Sequence, residues 1–144
     1  MDAQEPAAGV AGPSEVRPPA ERRLLAITWA CLAIYVPAET LYSYPYLASP
    51  GYLVDLIGMV LLFTGARHLG RTGNPAPLAA AWGWSACLAW RSYFARWHSR
   101  RQDLGVYDEP AWVEPLVGVA LLIALTVFAL SLALAYRPGP RRGD

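Results

Sequence analysis

Four ionisable side chains, Glu39, Asp55, Arg91 and Glu114, each sit near one end of an otherwise apolar stretch of this 144-residue chain. Carboxylates beside a guanidinium at the edge of an apolar layer suit three kinds of chemistry. They can hold and pass a proton, coordinate a hard cation through oxygen, or grip the polar end of an amphipathic ligand. Charge in a bilayer costs about 2.5 kcal/mol per residue or more near the centre and less toward the edge, so such groups are expected to meet one another or a ligand. Glu39 makes the sharpest case. It lies toward the C-terminal end of its helix, where the backbone dipole disfavours an anion, and it follows Pro37, which frees backbone groups. Arg91 is the cation at matching depth, so a Glu39–Arg91 contact is expected. A purely structural ion pair between two helices is the alternative.

Tyr35, Tyr42 and Trp90 fall near these charges, with Tyr52, Tyr93 and Trp112 beyond them. The expected ligand-binding set is therefore Glu39, Asp55, Arg91, Glu114, Tyr35, Tyr42 and Trp90. Simpler readings stand beside it. Asp55 and Glu114 open helices whose N-terminal dipole an anion complements, Arg91 can snorkel to water, and the aromatics can form an interfacial belt. Cys31 and Cys87 lie inside apolar stretches and read as packing residues. No metal-ligand spacing, Walker loop, dinucleotide fingerprint or nucleophile elbow occurs, so the sequence indicates no metal and identifies no cofactor.

The elements that must position these residues follow from hydropathy. The chain is 55% hydrophobic and 16% charged, against about 25% charged in typical soluble domains. Pro115 to Tyr136 is a run of 22 residues without a charge, and a helix of that length crosses about 30 Å of hydrocarbon. The sequence reads as an all-α, four-helix transmembrane bundle over residues 21–136, with spans near 24–42, 51–69, 76–97 and 111–136. The second is the weakest, because only 11 uncharged residues separate Asp55 from Arg67; a re-entrant second segment is the alternative. Residues 1–20 read as a disordered tail rather than a signal peptide, and residues 137–144 as a basic disordered tail.

Helical spacing aligns Thr28, Leu32, Tyr35, Glu39 and Tyr42; Gly51, Asp55, Gly58, Leu62 and Gly65; Trp84, Cys87, Arg91, Phe94 and His98; and Glu114, Gly118, Leu121 and Leu125. The glycines beside Asp55 point that stripe toward the bundle. All 12 basic residues are arginines. Most fall on the side holding both termini, which the positive-inside rule makes cytoplasmic. Composition suggests a bacterial inner membrane protein, and a net charge of +1 gives no reason to expect nucleic acid. Three functions remain open: a membrane protein binding a lipid, hydrophobic small molecule or ion in a polar pocket near the outer leaflet; a non-catalytic accessory or assembly subunit of a larger membrane complex; and an intramembrane lipid-modifying enzyme using Glu39 and Asp55 as acid and base. A homo-oligomer is compatible with each.

Overall fold

A computed structural model describes residues 18–44, 50–105 and 109–137. The tails assigned from sequence lie outside these residues, apart from positions 18–20 and 137. The described residues form four helices: α1 (Pro19–Tyr42), α2 (Pro50–Thr72), α3 (Ala76–Arg101) and α4 (Val113–Ala135). Each starts where local chemistry allows. Pro19 opens α1 with Glu21 in its first turn, favourable to the helix dipole. Asn74 Oδ1 accepts from the Ala76 backbone N–H at 3.0 Å at the start of α3, just after Gly73 turns the chain at φ 71°. Glu114 occupies the first turn of α4.

Successive helices run antiparallel. Trp29, Tyr35 and Thr40 on α1 meet Phe63, Asp55 and Tyr52 on α2 in reverse order. Gly58 and Gly65 on α2 face Trp84 and Leu78 on α3, while Gly83 and Tyr93 on α3 face Phe128 and Gly118 on α4. The glycine stripe of α2 therefore lets α2 approach α3 within the chain. A Cβ on Gly65 would stand 2.9 Å from the Leu78 Cα, so the two backbones are close there.

α1, α2 and α4 are long and apolar enough to cross a membrane. Their exposed faces carry Ile34, Leu41, Leu53, Val60, Leu122 and Leu130, as lipid contact requires. The sequence-based ranking is corrected here: α2 is a continuous 23-residue helix, and α3 is the helix that falls short of span hydropathy. The physical reason is composition. The C-terminal half of α3 carries Arg91, Arg96, His98, Arg100 and Arg101, and its N-terminal half is built largely from alanine and tryptophan. α3 also packs against both α2 and α4.

The core gathers at one end. Leu24, Leu69, Leu78, Thr28 and Ser131 are fully buried where α1 and α3 begin and α2 and α4 finish. Thr28 donates to the Leu24 carbonyl at 2.9 Å and accepts from Trp82 Nε1 at 3.1 Å, satisfying both polar groups inside this core. The opposite end, here called distal, holds the C-termini of α1 and α3 and the N-termini of α2 and α4. Most of the polar side chains singled out from the sequence lie there.

Candidate functional site

The distal charges divide into two clusters. The first lies between α1 and α2. Tyr35 donates its hydroxyl to Asp55 Oδ1 at 3.3 Å, and Glu39 stands within electrostatic reach of both residues. Glu39 Oε1 accepts from Ser43 Oγ at 2.8 Å, one turn further on. That local bond supplies part of the support that the C-terminal helix dipole denies this carboxylate. The Thr40 and Tyr52 hydroxyls meet at 3.5 Å beside them.

An apolar groove lies along the α1–α2 seam, between the helices that carry this cluster. Trp29, Leu32 and Val36 on α1 and Leu56, Met59, Val60 and Phe63 on α2 line about 250 Å³. Helical spacing explains the lining. Residues 29, 32 and 36 share a face of α1, as 56, 59, 60 and 63 do on α2, and the next residues on those faces at the distal end are Thr40 and Tyr52. Trp29 and Phe63 pack edge to face at 5.5 Å between centroids and bound the other end. From Trp29 to Val36 the lining runs for about 10 Å, using 1.5 Å per residue, and Thr40 lies one further turn toward the distal end.

The second cluster joins α1, α3 and the segment before α4. Arg96 Nε donates to Glu109 Oε2 at 2.8 Å and Arg96 Nη2 to Glu109 Oε1 at 3.0 Å, a bidentate pair with side chains 14% and 15% exposed. The Tyr42 hydroxyl also donates to Glu109, and Arg96 reaches back to Ser92. Hydrogen bonds from Arg96 hold the Glu109 carboxyl below the usual carboxylate range, with the Tyr42 bond and the Arg96 and Arg100 charges acting in the same sense. One turn along α3, Arg100 Nη1 approaches Glu114 Oε2 to 3.0 Å as an ion pair without hydrogen-bond alignment. Arg96, Ser99, Arg100, Asp103, Gly105 and Glu109 surround a cleft of about 160 Å³.

Of the residues singled out from the sequence, Glu39, Asp55 and Tyr35 are brought together, while Tyr42 and Glu114 join the second cluster. Arg91 and Trp90 belong to neither. The Glu39–Arg91 contact is not formed: Arg91 is exposed, and although Trp84 at the start of its stripe packs against Gly58, Cys87, Phe94 and His98 are exposed with it. The spacing that aligns those residues is correct, but beyond Trp84 that face of α3 turns outward. The guanidinium beside the end of α1 belongs to Arg96, about 7.5 Å further along α3 at 1.5 Å per residue. Trp90 stacks on Phe94 at 4.4 Å in an exposed aromatic ladder that continues to Trp97, with Arg101 over the Trp97 ring at 4.9 Å. Such a ladder suits a membrane interface.

Arg96 and Glu109 were missed by sequence reasoning. Arg96 four residues after Ser92 was a readable helical pair. Glu109 gave no such signal, because its partners Tyr42 and Arg96 are 67 and 13 residues away. No family model matches the chain, and no curated protein or solved structure matches it either.

Proposed function

We propose that this chain is a four-span membrane protein, with both termini cytoplasmic, that binds a lipid-like amphiphile along the α1–α2 seam. One acyl chain lies against Leu32, Val36, Leu56, Met59 and Val60. The polar group rests at the outer-leaflet end against Tyr35, Glu39, Asp55 and the Thr40–Tyr52 hydroxyls. The observation that carries this reading is that the same two helices, α1 and α2, hold both the apolar groove and, toward the distal end, the polar cluster, which matches the division of an amphiphile into tail and headgroup. At about 250 Å³ the groove lies below the range of about 300–1,000 Å³ common for whole-ligand pockets, so it suits part of one chain with the remainder in the bilayer. Arginine asymmetry supports the orientation, and composition supports a bacterial inner membrane. Glycines that would serve an accessory subunit face α3 instead of a partner, which favours the binding reading.

Photocrosslinking tests it. The purified protein is reconstituted with a phospholipid carrying a diazirine in mid-chain, irradiated and digested. Adducts concentrated on peptides holding Val36, Met59 or Val60 are the expected result. Equal labelling of the exposed Leu122 and Leu130 face of α4 would show ordinary lipid contact and refute the groove.

A further inference from the structure

One carboxylate at the distal end joins three parts of the fold. Glu109, ahead of α4, accepts from Tyr42 at the end of α1 and from Arg96 on α3. The two halves of this junction differ in strength. Arg96–Glu109 is bidentate, charge-assisted and largely screened from solvent, whereas Tyr42 is held through one hydroxyl, which also lies against Arg96, on a residue 57% exposed.

α1 is also the least buried of the three candidate spans. Two distal polar contacts between α1 and α2 are long, 3.3 Å from Tyr35 to Asp55 and 3.5 Å between Thr40 and Tyr52. Pro37 lies inside α1, five residues before Tyr42. Proline removes a helical hydrogen bond and is the usual site of a kink, so the segment beyond it can pivot on the rest of the helix. Glu39 and Thr40, at the polar end of the groove, ride on that segment.

We propose that Tyr42 and Glu109 form a latch: when their bond parts, the end of α1 beyond Pro37 swings away from Glu109 and carries Glu39 away from Asp55, while Arg96 keeps Glu109 in place. Among the described residues, the groups facing Glu109 are Tyr42 from α1, Arg96 and Arg100 from α3, and Asp103 from the turn that follows; Glu114 on α4 engages Arg100. The two guanidiniums keep Glu109 ionised through neutral pH, so the latch opens by loss of the tyrosine bond and not by protonation near pH 7. The latch is independent of what occupies the groove.

Spin-label distances test it in the full chain. Labels are placed through Leu41→Cys, on the pivoting segment, and Ala111→Cys, before α4, with Cys31→Ala and Cys87→Ala removing the native thiols. In lipid nanodiscs at pH 7 the parent should give a narrow distance distribution. Tyr42→Phe should lengthen and broaden it, and adding Pro37→Ala should restore it by stiffening the hinge. Glu114→Gln, which alters the neighbouring ion pair, should leave it unchanged. An unshifted Tyr42→Phe distribution overturns the latch, as does an equal shift in Glu114→Gln or a Tyr42→Phe/Pro37→Ala protein as open as Tyr42→Phe. Far-ultraviolet circular dichroism on each sample separates a local swing from loss of the fold.

Discussion

Arg96 grips Glu109 through two parallel hydrogen bonds of 2.8 and 3.0 Å, and this pair, not one involving Arg91, ties α3 to the segment that opens α4. Glu109 lies outside the helices, yet its side chain is largely buried and both of its oxygens are engaged. The pair therefore sets the geometry of the distal end, and several consequences can be measured.

The two arginines should separate cleanly. Arg91→Ala removes an exposed side chain with no ion pair among the described residues, and its effect should stay within about 0.5 kcal/mol. Arg96→Ala strips Glu109 of its charged donor and should cost about 1.5–3 kcal/mol. Unfolding in sodium dodecyl sulfate, followed by circular dichroism, gives both values. Equal costs would return Arg91 to a structural role.

Acid should weaken the distal end in a defined window. The folded-state pKa of Glu109 is lowered, so its contribution to stability is fully present above the unfolded carboxyl value of about 4.3 and is lost as pH falls through the folded value. The melting temperature should be flat in this respect from pH 8 to 5 and fall below about pH 4. Glu109→Gln should lie lower throughout the neutral range and lose part of the acid-dependent fall. Thermal scans of the two proteins across pH measure the difference.

Enlarging the glycines should rank by what lies opposite. Gly65→Ala drives a Cβ against the Leu78 backbone at 2.9 Å and should destabilise by about 1–3 kcal/mol. Gly58→Ala meets the edge of the Trp84 side chain at 3.3 Å, which can yield, so its cost should be smaller. The same detergent titration reads the order, and a larger effect at Gly58 would contradict the packing described for α2 and α3.

The buried bond between Trp82 and Thr28 should count modestly. Trp82→Phe leaves the Thr28 hydroxyl bonded to the Leu24 carbonyl but removes the indole donor at 3.1 Å. Hydrogen bonds between membrane helices average about 0.6 kcal/mol, so a loss of about 0.6–1.5 kcal/mol is expected once the smaller ring is included. Chemical denaturation of this single variant supplies the check.

The four helices were legible because each apolar stretch is long and bounded by proline, glycine or arginine. The inward stripe of α2 was legible too, since Gly58 and Gly65 flank Leu62 at helical spacing and all three are buried. Periodicity says which residues share a face but not which face turns inward; for α3 it aligned Trp84, Cys87 and Arg91 on a side that is exposed. Hydropathy likewise undervalued α2, whose Asp55 is accommodated by Tyr35. The Tyr42–Glu109 contact was beyond reach because it depends on how α1 ends beside a segment 67 residues later. The α1–α2 groove needed coordinates as well, since a gap between two helices depends on their separation and not on either sequence alone.

Native mass spectrometry of the protein released from mild detergent tests the amphiphile site most directly. The expected spectrum carries a retained lipid-sized mass that Met59→Trp, which fills the groove, removes without loss of helical content. A parent protein with no retained mass, or a mass that persists unchanged in folded Met59→Trp, would contradict binding along α1 and α2.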